Sequence, residues 1–248
     1  MEWFGENPPT AIVTGGASGI GRAVCELLAK EGYRVAVADR DMKGAEEVAH
    51  HIDGYAFEVD VADEASVVAL FDRALETFGG TLDALATPAG IADTTPFMDL
   101  TVETFRRVND INVVGTFLCM REAAKRMRAG GRICTVASVA GKRGGGLSGT
   151  AAYAASKGGV LALTRSAARA LAPNGIAVNC VAPGATLTPM LDNAFSNAEH
   201  RQRVESLTLL GRSGEPREIA EAIVWLLSPR SSFVDGETLT VDGGLMLD

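Results

Sequence analysis

Thr14-Gly15-Gly16-Ala17-Ser18-Gly19-Ile20-Gly21 is the stretch on which the reading of this chain turns. It separates a short apolar run at 11–14 from residues 20–30, where apolar side chains recur at helical spacing before Gly32. A glycine cluster between a strand and a helix has a physical use. Glycine permits a tight turn and a close backbone approach, and the helix N-terminus offers free N–H groups to an anion such as a pyrophosphate. Gly15, Ser18, Gly19 and Ile20 are the turn residues expected against such a ligand. A glycine-rich turn alone proves little, so its surroundings decide. The next apolar run, 34–38, ends at Asp39. A carboxylate there can accept hydrogen bonds from both ribose hydroxyls of an adenosine and would repel a 2′-phosphate. Asp39 therefore argues for NAD over NADP, with Arg40 beside it as a residue able to hold a phosphate.

Working outward, the alternation continues. Strand patterns at 11–14, 34–38, 55–59, 84–87, 132–137, 176–181 and 238–241 are separated by helical patterns at 20–30, 42–51, 64–78, 102–128, 152–171 and 216–227. Strands joined by helices require crossovers and hence a parallel sheet covered on both faces. The expected architecture is α/β: one doubly wound Rossmann domain over 1–248, with a seven-stranded parallel sheet. The irregular stretch 183–214, between a strand and a helix, is the candidate substrate lid, placed at about 185–214.

Bulk properties narrow the function. Hydrophobic residues make up 47% of the 248 and charged residues 22%, enough for one large core. The net charge of −8 disfavours nucleic acid and anionic membrane as partners. No apolar run has the length of a membrane span, and residues 1–9 carry no signal-peptide pattern. Cys25, Cys119, Cys134 and Cys180 sit among apolar neighbours without metal-ligand spacing. They read as buried free thiols, which fits a reducing cytoplasm. His50, His51 and His200 read as surface residues, so neither a metal site nor a histidine-based triad is expected.

Tyr153 and Lys157 stand four residues apart in a helical stretch and so share a face. A free phenol titrates near pH 10. A lysine ammonium beside it favours phenolate, which would suit proton exchange with a ketone or alcohol oxygen. Taken alone, the pair is also what an ordinary helix surface looks like. Ser138, however, follows the apolar strand around Ile133 to Val136, at the strand end where open α/β sheets bind ligands. Its hydroxyl could hold a substrate oxygen next to Tyr153. Asn112 lies inside a long helical pattern, a poor place for Asn. Its side chain could disturb the helix and hold a water that relays protons from Lys157.

Taken together, these residues resemble the classical short-chain dehydrogenase/reductase family, from Thr10 to the C-terminus. The resemblance rests on the glycine turn at 14–21, Asp60-Val61, Asn112 in Asn-Val-Val-Gly-Thr-Phe, Ser138, Tyr153-Ala-Ala-Ser-Lys157, Asn179-x-Val-x-Pro183-Gly184 and Val241-Asp-Gly-Gly244. It implies that Asn112, Ser138, Tyr153 and Lys157 form a catalytic tetrad. It also implies that Tyr153 and Lys157 contact the nicotinamide ribose side of an NAD cofactor. Asp60 would meet the adenine amino group with the Val61 backbone beside it. Pro183, Gly184, Thr186 and Thr188 would lie along the nicotinamide. Members are commonly homotetramers, with the helices near Asn112 and Tyr153 at an interface. The chain departs from the family at Thr87-Pro88-Ala89-Gly90, where Asn-Asn-Ala-Gly is usual. Ala89 and Gly90 keep the close approach to the adenine ribose. Thr87 loses an amide that braces the sheet, and Pro88 removes a backbone donor.

The expected activity is hydride transfer between NAD(H) and a secondary alcohol or ketone, with Tyr153 as general acid/base. Two alternatives stand beside it: an NADP-dependent 3-oxoacyl-thioester reductase, and a non-catalytic dinucleotide-binding regulator. The pocket is expected between the loop 141–150 and the lid. There Lys142 and Arg143 could meet an acidic substrate or simply face solvent. Met190, Leu191 and Phe195 are candidates for an apolar lid face.

Overall fold

The computed structural model describes residues 8–145, 150–191 and 197–247. Its centre is a parallel sheet. Among the described residues the strands are β1 (Thr10–Thr14), β2 (Arg34–Asp39), β3 (Tyr55–Glu58), β4 (Leu82–Thr87), β5 (Met127–Val136), β6 (Ala177–Pro183) and β7 (Thr238–Val241). They are ordered β3-β2-β1-β4-β5-β6-β7, and every pairing is parallel. The order reverses between β1 and β4, which opens a crevice at the strand C-termini.

The central strands read as apolar runs because both faces are covered. Side chains alternate across a strand. Val13, Val37, Ala86 and Val136 accordingly face one layer, where they meet Val24 and Leu28 of α1 (Gly19–Lys30) and Ile219, Ile223 and Leu227 of the helix Pro216–Leu227. Ile12, Ala36, Leu85 and Ile133 face the other layer. There they meet Val67, Leu70 and Phe71 of α3 (Glu64–Phe78) and Leu118 of the helix Gly115–Ala124. The helix α2 (Met42–Ile52) flanks β2 and begins at Asp41, whose side chain accepts from the Gly44 N–H. Caps set other boundaries. Asp63 starts α3, whose chain turns at Gly79 in the left-handed region (φ 79°). Pro216 opens its helix, and the Glu218 carboxylate accepts from the Glu215 N–H at 2.8 Å.

Two expectations need correction. The single helix expected over 102–128 is divided. It runs as α4 (Val102–Asn109), a π turn at Asp110–Val114 and α5 (Gly115–Ala124), and it ends before β5 starts at Met127. The π turn carries Asn112, whose side chain bonds to the chain after β4 rather than facing solvent. Strand β5 begins earlier than its apolar core because Met127 pairs with Leu82, after which the register shifts so that Arg132 pairs with Ala84. Gly130, at φ 94°, permits that irregularity. Further α-helices among the described residues are α6 (Val139–Arg143), α7 (Ala151–Leu171), α8 (Ala198–Glu205) and α9 (Pro216–Leu227). The stretch 183–214, read from sequence as irregular, thus contains α8 and closes through a parallel bridge between Thr186 and Gly214. No helix among the described residues is long and apolar enough to cross a membrane.

On α5, Glu122 is almost wholly buried and accepts from Lys125 at 2.6 Å, Arg126 at 2.6 Å and Arg121 at 3.0 Å. Burial alone would raise its pKa, but these hydrogen bonds outweigh that and bring it down to about 2. A carboxyl with a depressed folded-state pKa stabilises the fold above its unfolded value of about 4.3, and that stabilisation fades as pH falls toward 2. Glu122→Gln should therefore cost about 2 kcal/mol at pH 7. In urea unfolding, the gap to the wild type should shrink below about pH 4. A gap independent of pH would contradict this charge-based account.

Candidate active site

The glycine turn packs as a cradle that side chains would fill. A Cβ on Gly21 would lie 1.9 Å from the Gly15 carbonyl oxygen, and one on Gly15 would lie 2.8 Å from the Ala89 backbone. Gly15 and Gly19 take φ of 67° and 51°, which glycine adopts without strain. Asp39, at the end of β2, braces the turn. One carboxylate oxygen accepts from the Ala17 N–H at 3.0 Å and the other from the Asp41 N–H at 3.0 Å.

Two adjoining clefts open above the strand ends. The first, about 970 Å³ with its mouth, is lined by Gly15, Ser18, Gly19, Ile20, Asp39, Asp60, Val61, Ala89 and Gly90. Arg40, Ile91 and Ile111 also reach it. The second, about 820 Å³, is lined by Ser138, Tyr153, Lys157, Pro183, Gly184 and Thr186, among others. Ile20, Pro88, Thr188 and Met190 border both, so the two form one groove. Each residue expected to touch a dinucleotide therefore lines this groove. The residues fit such a group: a side-chain-free turn at a helix N-terminus for the pyrophosphate, and a carboxylate at the adenosine end.

At the inner end, Ser138 caps α6, its hydroxyl accepting from the Ala140 N–H at 3.1 Å. The Tyr153 phenol lines the same cleft as this hydroxyl, which favours its ionised form. Lys157 is buried; its Nζ donates to the Val136 carbonyl at 2.8 Å and lies 5.8 Å from the Tyr153 ring centre. The tuning differs from the sequence expectation. Burial dominates at both groups. It pushes the Tyr153 phenol up, with the Ser138 hydrogen bond pulling part of the way back. It pulls Lys157 down to about 8, with Cys180 acting weakly the other way.

Asn112 does not line the groove; it is fully buried behind it. Its Nδ2 donates to the Ile91 carbonyl and to Ser156 Oγ, both at 2.9 Å, and its Oδ1 accepts from the Ile91 N–H at 2.9 Å. The side chain clamps the loop after β4, and a π turn is the form of helix that presents it there. A Cβ on Gly90 would sit 3.0 Å from Asn112 Oδ1 and 3.4 Å from Lys157 Nζ, so Gly90 lets the two groups flank one spot. Ser156 was missed from sequence. It bridges Asn112 and the Tyr153 carbonyl, the latter at 2.7 Å. The available signal was a hydroxyl on the buried face of α7.

The departure at Thr87 has a visible consequence. Thr14 Oγ1 and Thr87 Oγ1 are buried without a hydrogen-bond partner. Both border a void too small for water, together with Val61 and Thr116. A buried hydroxyl without a partner costs about 1–3 kcal/mol. The groove above keeps its shape, since Ala89 still packs against Gly15.

Met190 and Leu191 line the inner cleft, as a lid face would; Phe195 lies outside the described residues. All four cysteines are buried free thiols. His50 and His51 are exposed, whereas His200 is half-buried.

Comparison with known proteins agrees with this geometry. Residues 15–246 match the family model described as enoyl-(acyl carrier protein) reductase. The chain is 44% identical over 242 residues to 2,5-dichloro-2,5-cyclohexadiene-1,4-diol dehydrogenase of Sphingobium indicum, covering 95% of this chain and 96% of the relative. It is 43% identical to cis-4-hydroxycyclohexanecarboxylate dehydrogenase of Sinomonas cyclohexanicum, covering 94% and 95%. Among solved structures, a short-chain dehydrogenase/reductase (glucose/ribitol dehydrogenase) from Brucella melitensis superposes with a TM-score of 0.91 at 33% identity, over 97% of each chain. With that match along nearly its whole length, the chain belongs to the short-chain dehydrogenase/reductase family.

Proposed function

We propose that the protein is an NAD-dependent dehydrogenase acting on a ring-borne secondary alcohol, with Tyr153 as the proton acceptor. The observation that carries this is the Ser138–Tyr153–Lys157 cluster at the inner end of a groove that starts at Asp39. The curated relatives named above, both acting on ring alcohols, support the substrate class.

The alcohol oxygen sits between the Ser138 and Tyr153 hydroxyls. NAD, when bound, supplies the hydride acceptor: the carbinol carbon gives up its hydrogen with both electrons. Tyr153, as phenolate, takes the hydroxyl proton, so the products are a ketone, NADH and a neutral phenol. Lys157, buried with its Nζ 5.8 Å from the Tyr153 ring centre, is the residue that would hold the nicotinamide ribose of a bound cofactor. Asn112, through its clamp on Ile91, holds the spot beside Lys157 where a relay water would bind. The Asp39 carboxylate is the group that would accept from the adenosine ribose of a bound dinucleotide. Because ionised Tyr153 is the competent form for oxidation, the oxidation rate rises toward alkaline pH.

The chain assembles as a homotetramer in this reading. Val102, Phe105, Val114 and Phe117 are exposed along α4, the π turn and α5, and Phe233 is fully exposed near β7. Four buried free thiols suit a reducing cytoplasm.

Initial rates with NAD and NADP in parallel, over a panel of ring secondary alcohols, test the proposal. NAD should be preferred. In Asp39→Asn, which removes the charge that repels a 2′-phosphate, the NADP-to-NAD ratio of kcat/KM should rise about ten-fold or more. Turnover confined to NADP in the wild type would overturn the NAD reading and favour a 3-oxoacyl-thioester reductase. Binding of the dinucleotide without turnover of any alcohol would favour a regulator.

A further inference from the structure

Two charged residues line the inner cleft among the described residues, Arg143 and Lys157; both are cations, and no carboxylate joins them. Lys157 is committed to the Val136 carbonyl and the tyrosine. Arg143 ends α6, and Gly144 turns the chain there at φ 83°. Its guanidinium makes no hydrogen bond or ion pair with any described residue. Its neighbour does the opposite: Lys142 Nζ donates to Thr240 Oγ1 at 2.8 Å, away from this cleft. The two cations that the sequence presents as equivalent therefore face different neighbours.

The rest of the lining is mostly apolar. Val139, Ala140, Met190 and Leu191 line the cleft together with Tyr153 and Arg143. In a chain of net charge −8, a cleft with two cations and no carboxylate among its described lining residues is locally positive and favours an anionic ligand. A guanidinium presents a planar fork that matches a carboxylate with two parallel hydrogen bonds. A phosphate would bring more charge and a third oxygen, for which this rim offers no second arginine among the described residues.

We propose that the substrate of this site is a secondary alcohol that also bears a carboxylate, and that Arg143 binds that carboxylate while the hydroxyl lies at Tyr153. Arg143 is thus a specificity-determining residue. The inference rests on the dehydrogenase reading above and extends it to the charge of the substrate.

The test uses 4-hydroxycyclohexanecarboxylate and its neutral carboxamide as paired probes. Both are titrated calorimetrically into the full-length protein saturated with NADH, and both are assayed for NAD reduction. The carboxylate should bind at least about ten-fold more tightly than the carboxamide. In Arg143→Gln that ratio should fall to about one, and Arg143→Lys should recover part of it. Equal binding of the two probes by the wild type, binding of neither, or a carboxylate preference that survives Arg143→Gln would each overturn the assignment. Failure of the dehydrogenase reading has a separate signature: no secondary alcohol reduces NAD, while the binding ratio is still measured and still decides the role of Arg143.

Discussion

Tyr153→Phe should lower turnover by about 10³-fold while leaving the fold and NADH binding in place. The substitution removes one oxygen atom. The ring keeps its position on α7, because that position is fixed by the backbone and by Ser156 Oγ bonding to the Tyr153 carbonyl, not by the phenol. What is lost is, among the described residues, the phenol in the inner cleft that would take the alcohol proton beside Ser138. Thermal unfolding and NADH fluorescence titration check the first half of the expectation, and initial rates check the second. A variant that retained more than about a tenth of wild-type turnover would remove Tyr153 from the chemistry.

Lys157→Met should abolish turnover and at the same time stabilise the fold. Burial holds the Lys157 ammonium at a pKa of about 8, below its ordinary 10.5. The sign follows from linkage. With a folded pKa below the unfolded one, the unfolded chain binds more protons between the two values, so stability rises with pH there. At pH 7 the buried charge costs roughly 2–3 kcal/mol, and methionine fills similar volume without it. Urea unfolding at pH 7 should show the variant more stable by that order, and the advantage should shrink as pH climbs from 8 toward 10. A variant less stable than wild type at pH 7 would mean that the bond to the Val136 carbonyl outweighs the desolvation. Stability given up at a working residue is a common feature of catalytic sites.

Much of this architecture is readable from local pattern because the physics that sets it is local. The helix Pro216–Leu227 and the strand Thr238–Val241 have the bounds that the sequence pattern gives. A proline and a reciprocal acidic cap fix the start of the helix, and both segments carry clear periodicity. The glycine turn is equally direct, since a Cβ on Gly15 would lie 2.8 Å from the Ala89 backbone. The π turn at Asn112 is not local. It exists because that amide reaches Ile91, 21 residues away. The early start of β5 depends on a partner, Leu82, that a linear pattern does not show. The helix Ala198–Glu205 escaped notice because it is polar nearly all round, burying Val204.

The site divides in the same way. Residue types and spacing point to Ser138, Tyr153 and Lys157, and the fold brings them to one cleft. The direction of a side chain at the rim of that cleft is set by neighbours distant in sequence. Lys142 is captured by Thr240 of β7, and Arg143 stays at the rim of the cleft. The balance of desolvation against charge at Tyr153 and Lys157 likewise depends on how tightly α7 packs under β5.

The central claim is that a hydrogen leaves the carbinol carbon as hydride for NAD. The most direct measurement supplies a ring secondary alcohol deuterated at that carbon, with NAD, and weighs the reduced cofactor by mass spectrometry. The account predicts that the cofactor gains one deuterium in the wild type and that Tyr153→Phe forms little reduced cofactor. Reduced cofactor without deuterium, or no reduced cofactor with any such alcohol, would contradict it.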